Sequence, residues 1–147
     1  MEKEKIAIAS DHGGFDLKNK IIEYLKSKGY VVEDFGTYDK NSCDYPIYAK
    51  KVAGAILNND FKRGILVCGT GIGMQIAANR FKGIRAVCPS NCYAARMSVE
   101  HNNSNILTLG ERVLGAGLAV EILEAWLNAK FAGDRHQRRV EMLDNIN

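Results

Sequence analysis

The sequence predicts a three-layer α/β fold, in which helices cover both faces of a five-stranded parallel sheet. Short apolar runs alternate with amphipathic helical patterns along all 147 residues, and parallel strands need such crossover connections. The hydrophobic fraction of 46% and the charged fraction of 25% are those of a globular chain and exclude a disordered one. The length suits a single domain that covers residues 1–147.

Strands are expected where short apolar runs end at turn residues. The most apolar run, 64–68, is expected at the centre of the sheet because a strand buried on both faces is apolar throughout. In chain order, the expected strands are 5–9, 30–35, 64–68, 85–88 and 106–109.

Helices are expected where apolar residues recur every three or four positions. Leu17, Ile21 and Leu25 form one such face, and Gly29 ends that helix. A second helix opens after the loop at 44–46. The apolar face of this second helix contains Ala49, Val52, Ala53 and Ile56. The third helix passes through Ala77 and Ala78, and a fourth is expected at about 91–99. The long helix after the last strand has an apolar face of Ala119, Ile122, Leu123 and Trp126. A last short helix at 135–143 completes a Rossmann-like arrangement.

Charge and cysteine usage exclude several classes of protein. Lys and Arg total 20 against 17 Asp and Glu, and a net charge of +3 is too small for a dedicated nucleic-acid or membrane-surface protein. No apolar stretch approaches the roughly 20 residues that span a bilayer, and none at the N-terminus resembles a signal peptide. The four cysteines are therefore expected to be reduced thiols of a cytoplasmic protein. Their spacing does not predict a metal site.

The loop at 68–73, Cys-Gly-Thr-Gly-Ile-Gly, follows the expected central strand. In an open parallel sheet, ligands bind beyond the carboxyl ends of the strands, where 11–14, 89–91 and 110–112 are also expected. Backbone N–H groups of Gly69, Thr70, Gly71, Ile72 and Gly73, at the start of a helix, suit an anion. The loop lacks the glycine spacing of a dinucleotide site and the lysine of a Walker loop. A tight turn that only packs helix against strand is the alternative.

Cys68 ends the central strand beside the start of this helix, where the helix dipole favours a thiolate. Such a thiolate acts as a nucleophile or a general base. The alternative is a small buried hydrophobe, the usual role of a free cysteine, and this is our interpretation of Cys43 and Cys88. Cys92 lies near another helix start but has no glycine loop beside it.

Two of the three histidines are candidates for acid–base chemistry. His12 follows Asp11 at the end of the first strand, and His101 precedes Asn102 at a helix end. A structural or exposed position is the alternative for each.

Arg135 and Arg139 lie one turn apart on a common helix face, and Arg112 follows the last strand. Two parallel guanidinium groups suit a phosphate, although a solvated helix face is an equally good interpretation. Together with Cys68 and its loop, they indicate a small phosphorylated substrate whose carbonyl meets a base and N–H donors.

The motifs, taken together and in order, resemble ribose-5-phosphate isomerase type B, a family that includes allose- and galactose-6-phosphate isomerases. The resemblance covers essentially the whole chain. It implies aldose–ketose isomerisation through a cis-enediolate, with no metal or organic cofactor. The matching segments are 8–14, 44–46, 68–73, 76–79, 83–86, 101–102 and 135–139.

The resemblance also implies roles for individual residues. Cys68 would be the base that moves a proton between C1 and C2, and Thr70 and the amides of 69–73 would stabilise the enediolate oxygen. His101 would open the furanose ring as general acid. A family branch with glutamate at the position of Met74 lacks this cysteine, so the chain matches the cysteine branch. The substrate would be held by Asp11, His12, Asn102, Arg112, Arg135 and Arg139.

Members of the family are dimers, often tetramers, in which His101 and Asn102 complete the partner's site. The resemblance therefore implies a homodimer or homotetramer that binds a sugar phosphate in shared sites. A hexose-6-phosphate isomerase with the same machinery stays open, because one carbon more depends on pocket depth. A non-catalytic phosphosugar- or nucleotide-sensing module, which would not need Cys68, is the alternative of a different class.

Overall fold

A computed structural model describes residues 3–146. Five parallel strands form one sheet, and their bounds are β1 (Lys5–Ser10), β2 (Val31–Asp34), β3 (Arg63–Cys68), β4 (Ala86–Val87) and β5 (Ile106–Gly110). The helices are α1 (Phe15–Ser27), α2 (Tyr45–Leu57), α3 (Ile72–Ala78), α4 (Cys92–Glu100), α5 (Ala116–Asn128) and α6 (Arg135–Leu143). The predicted fold class and the predicted order of elements are confirmed.

The strand order β2-β1-β3-β5-β4 places β3 in the middle of the sheet, as its apolar sequence predicts. Successive side chains of a strand point to opposite faces. Ile6 and Ile8 of β1 therefore pack with α1, α4 and α5, whereas Ala7 and Ala9 pack with α2 and α3. The small alanines on the second face leave room for the α2 backbone to approach the sheet.

Strand β4 contains two residues where four are expected, and a side chain covers its outer edge. The side-chain amide of Asn79 accepts from the N–H of Ala86 at 2.7 Å and donates to its carbonyl at 2.9 Å. One amide thus occupies the place of a neighbouring strand. Beyond Val87 the chain turns, and Cys88 reaches the loop that follows β3.

The order of the strands also determines where a cleft can open. From β1 the chain passes to β2 at one edge, whereas β4 and β5 lie on the other side of β3. The carboxyl ends of β1 and β3 are neighbours, with Ser10 opposite Val67, and mark the point where the winding reverses. None of the helices within residues 3–146 has the length and apolar character needed to cross a membrane.

Candidate active site

Cys68 lies at the carboxyl end of β3, and its side chain meets the turn that follows. It is 5% exposed, and the backbone N–H of Gly71 donates to its Sγ at 3.1 Å. Gly71 adopts a left-handed conformation with φ of 80°. A Cβ there would lie 2.7 Å from the Sγ of Cys88, so the turn requires glycine for both conformation and space. The structure thus places a thiol against an N–H donor at the start of α3.

Thr70 is the exposed residue at the tip of this turn, where a bound molecule can reach its hydroxyl. Its Oγ1 accepts from the N–H of Ile72 at 3.3 Å. Beneath it the turn rests on β5, because a Cβ at Gly110 would lie 2.5 Å from the carbonyl carbon of Thr70. The last residue of β5 must therefore be small.

The loop after β1 lies against the same turn. Its buried Asp11 accepts through Oδ1 from the N–H groups of Gly13 at 2.9 Å and Gly14 at 3.2 Å. A Cβ at Gly13 would lie 3.2 Å from the backbone nitrogen of Gly69. The loops at the ends of β1 and β3 are therefore in contact, as the parallel topology predicts.

His12 is oriented by a segment that precedes α2. The backbone N–H of Cys43 donates to its Nδ1 at 3.2 Å, and the Sγ of Cys43 lies 3.9 Å from the same nitrogen. Because Nδ1 is an acceptor, a neutral His12 carries its proton on Nε2. His12 thus offers Nε2–H as a hydrogen-bond donor.

Arg112 completes this group from the end of β5. Its backbone N–H donates to the carbonyl of Gly69 at 2.9 Å, and a Cβ at Gly69 would lie 2.9 Å from its Nη1. The guanidinium therefore covers Gly69 and reaches Gly13. It adds a positive charge beside the glycine turn, suited to an anionic group of a ligand.

The remaining predicted residues form a second group. His101, Asn102 and Arg139 line a cavity of about 260 Å³ together with His136. The rings of His101 and His136 stack with centroids 4.3 Å apart. Burial lowers the pKa of His136 below its ordinary value of 6.5, and the charges of His101, Arg135 and Arg139 lower it further. The cavity is thus lined by imidazole and guanidinium groups.

The two groups lie at opposite ends of the strands: the first at the carboxyl ends and the second at the amino ends. His101 stands between α4 and the start of β5, and Asn105 accepts from the N–H of Gly64 near the start of β3. Cys68 is the last residue of β3, about 16 Å from its first at 3.3 Å per residue. Of the predicted site residues, the structure brings together Asp11, His12, Gly69, Thr70, Gly71, Ile72, Gly73 and Arg112 around Cys68, and places Asn102, Arg135 and Arg139 with His101.

The interpretation of Cys43 and Cys88 as buried hydrophobes is wrong. Both are half-buried and lie beside site loops: Cys43 contacts His12, and the Sγ of Cys88 lies 3.6 Å from the carbonyl oxygen of Thr70. Neither residue lies in a regular element: Cys43 is in the loop between β2 and α2, and β4 ends before Cys88. Among residues 3–146, no three His, Cys, Asp or Glu side chains are grouped so as to hold a metal ion.

The sequence reasoning also missed Thr108 of β5. Its hydroxyl is buried and donates to the carbonyl of Gly71 at 2.8 Å. A β-branched residue in an apolar run looks like an ordinary strand former. The one available signal is its position two residues before Gly110, on the face of the sheet that carries Cys68.

The profile of the family described as Ribose/Galactose Isomerase matches residues 6–143. The chain belongs to this family. Ribose-5-phosphate isomerase B of Escherichia coli is 48% identical over 143 residues, which are 97% of this chain and 96% of that protein. The structure of the Clostridium thermocellum ribose-5-phosphate isomerase B is 53% identical with a TM-score of 0.95, over 97% of this chain and 96% of that one.

Another relative is named for a different sugar phosphate. D-erythrulose-4-phosphate isomerase of Pectobacterium atrosepticum is 44% identical over 140 residues, covering 94% of this chain and 91% of that protein. The family thus holds isomerases named for different sugars, and the chain is an isomerase of this family.

Proposed function

We propose that this chain interconverts D-ribose 5-phosphate and D-ribulose 5-phosphate. The observation that carries the proposal is the Sγ of Cys68, 3.1 Å from the N–H of Gly71, where the winding of the sheet reverses. The names of the Escherichia coli and Clostridium thermocellum relatives support ribose 5-phosphate as substrate. A base beside N–H donors is the arrangement that proton transfer next to a carbonyl requires.

Cys68 acts as the base on the open-chain sugar. As a thiolate, it takes the proton from C2 of the aldose. The electron pair of that bond forms the C1–C2 double bond, and the π pair of the C1 carbonyl moves to O1, which gives the enediolate. The hydroxyl proton of O2 then passes to O1, the electron pair left on O2 forms the C2 carbonyl, and the C1–C2 π pair takes the proton back from the thiol at C1. No atom or electron is gained or lost. The N–H groups of Gly71 and Ile72 already donate to Cys68 and Thr70. The hydroxyl of Thr70 and the backbone N–H groups of Gly69, Thr70 and Gly73 therefore stabilise the enediolate oxygen.

The loop after β1 and Arg112 hold the sugar near Cys68. Asp11 and His12 bind hydroxyl groups, and the Nε2–H of His12 is a donor because Cys43 occupies Nδ1. The guanidinium of Arg112 covers Gly69 and adds a donor beside the turn. These groups lie within one chain, in the loops that follow β1, β3 and β5.

The residues that bind the phosphate and the acid that opens the ring come from a second subunit. His101, Asn102 and Arg139 lie together near the amino ends of the strands, with Arg135 on the same helix as Arg139, whereas Cys68 lies at the carboxyl end of β3. A homodimer or homotetramer completes the site when the His101 group of one subunit faces the Cys68 group of its partner. Ile72 and Ile76 on α3 are each 53% exposed, and Ile146 is 72% exposed. Association would cover such apolar side chains.

The test is turnover of a panel of sugar phosphates by the purified chain. We expect the highest kcat/KM with ribose 5-phosphate, and lower values with allose 6-phosphate, galactose 6-phosphate and D-erythrulose 4-phosphate. A higher value with a hexose phosphate or with D-erythrulose 4-phosphate would assign that sugar instead. Binding without turnover of any of them would favour a sensing module.

The cytoplasmic location predicted from the sequence stays a prediction.

A further inference from the structure

Thr108 holds the turn that contacts Cys68, from a neighbouring strand. Its side chain has 0% exposure, and its Oγ1 donates to the carbonyl of Gly71 at 2.8 Å. In the register of β3 and β5, Thr108 lies opposite Leu66, and Gly110 lies opposite Cys68. Thr108 is therefore on the face of β5 that carries the turn, two positions before the turn's support at Gly110.

Gly71 is fixed at each of its backbone groups. Its N–H donates to the Sγ of Cys68, and its carbonyl accepts from Thr108 and from the N–H of Gln75 at 3.1 Å. A Cβ at Gly71 would lie 2.7 Å from the Sγ of Cys88. The Gln75 bond is the first of α3 and is made by any helix that begins here. Of the two hydrogen bonds to the carbonyl of Gly71, the bond from Thr108 is the one that a side chain donates.

Glycine is the residue with the widest backbone freedom, so its left-handed conformation is not imposed by its own side chain. A rotation about the backbone of Gly71 turns its N–H away from Cys68. The N–H of Gly71 and its carbonyl lie in successive peptide planes that meet at its Cα. The hydroxyl of Thr108 holds the second plane in a buried, low-dielectric place, and so anchors the Cα about which the first plane turns. The orientation of the N–H donor thus depends on β5 as well as on the turn.

We propose that Thr108 is a positioning residue for Cys68, which keeps the N–H of Gly71 directed at the sulfur. The proposal rests on the proposed function only in giving that sulfur the role of base. Among residues 3–146, the side chain of Thr108 hydrogen-bonds to Gly71 and not to Cys68. Thr108 therefore acts on the sulfur through Gly71.

The first test compares Thr108→Val with Thr108→Ser. Valine keeps the shape and the β-branch but has no hydroxyl, whereas serine keeps the hydroxyl. We expect valine to lower kcat for ribose 5-phosphate about tenfold, the loss expected for one buried hydrogen bond, and to leave KM within about twofold. Serine should restore most of kcat. Equal kcat in wild type and Thr108→Val, or a loss confined to KM, would overturn the proposal.

The second test does not depend on isomerase activity. The alkylation rate of Cys68 by iodoacetamide is followed against pH by peptide mass spectrometry, with Cys92 of the same sample as reference. We expect Thr108→Val to move the profile of Cys68 to higher pH, Thr108→Ser to restore it, and Cys92 to be unaffected. An unmoved Cys68 profile would overturn the proposal. A shifted profile in a chain that isomerises no sugar phosphate would contradict the proposed function instead.

A folding control completes the design. Thermal unfolding followed by circular dichroism shows whether the valine variant keeps its fold, and Thr108→Ala takes its place if it does not. Alanine adds no atom against the turn and also lacks the hydroxyl, so the same shift of the Cys68 profile is expected from it. A wild-type profile in a folded Thr108→Ala variant would likewise overturn the proposal.

Discussion

The imidazole rings of His101 and His136 stack at a centroid distance of 4.3 Å, with their planes 11° apart. His136 is 8% exposed and stands on α6 between Arg135 and Arg139, whereas His101 is exposed at the end of α4. Burial and these positive neighbours lower the pKa of His136 below 6.5. The ring of His136, whose neutral form is thereby favoured, packs flat against the ring of His101.

This lowered pKa predicts how stability depends on pH. The folded state favours neutral His136, so its contribution is complete above the unfolded value of 6.5 and is lost as pH falls through the lowered folded pKa. Urea unfolding should therefore show a smaller loss of free energy in His136→Phe than in wild type between about pH 7.5 and pH 5. Phenylalanine keeps the stack but does not titrate. Parallel pH profiles for the two proteins would contradict this explanation.

Cys68→Ser should keep the fold and substrate binding but lose turnover. A serine hydroxyl is too weak an acid to supply a base near neutral pH, and removal of a general base costs on the order of 10²–10⁴ in rate. Cys92→Ser is the matched control, because Cys92 packs against the core on the other face of the sheet. Cys88 contacts the turn and does not serve this purpose. A Cys68→Ser variant with a wild-type rate would assign the proton transfer to another residue.

His12 separates an orienting bond from a substrate bond. His12→Asn places an oxygen where Nδ1 accepts from Cys43, and His12→Gln places an amide donor where Nε2–H lies. We expect the asparagine variant to keep wild-type stability with about tenfold lower kcat/KM, and the glutamine variant to lose about 1 kcal/mol of stability with more of the activity retained. Chemical unfolding and steady-state kinetics measure the two effects. The reverse order of activities would show that the bond to Cys43 is the one that catalysis needs.

Lys18 holds the segment that leads from β2 toward Cys43. Its buried Nζ donates to Asp34 at 2.8 and 2.9 Å and to the carbonyl of Thr37. Lys18→Met leaves the carboxylate of Asp34 without this partner, and we expect a loss of about 3 kcal/mol in the free energy of unfolding, the lower end for a buried pair. Lys20→Met, at an exposed position of the same helix, is the control and should change stability little. Equal stability of the two variants would show that the pair is not a structural bond.

The sequence predicted the parts of the fold that depend on local chemistry. Apolar periodicity placed α1 and the central strand β3, and alternate glycines placed the turn after Cys68. Asn79 makes a contact that the sequence did not predict: its side-chain amide pairs with Ala86 at the outer edge of β4. Thr108 was missed because its donor role depends on which strand lies beside β3.

The separation of Cys68 from His101 is implicit in the topology. In a parallel sheet, a residue between the end of a helix and the start of the next strand lies at the amino ends of the strands. His101 is such a residue, because it follows α4 and precedes β5. The resemblance to a family with shared sites gave the same expectation without geometry. What neither could supply is the stack of His101 on His136, because the C-terminal helix has no fixed place in an alternating α/β pattern.

Subunit complementation tests the shared site most directly. A Cys68→Ser variant and a His101→Asn variant, each nearly inactive, are mixed under conditions of demonstrated subunit exchange. In a mixed dimer, one site carries both defects, and the other combines the intact Cys68 of one chain with the intact His101 of its partner. The mixture should recover about a quarter of the wild-type activity toward ribose 5-phosphate, since half of the dimers are mixed and each has one intact site. No recovery despite exchange, or full activity in a monomer, would contradict the account.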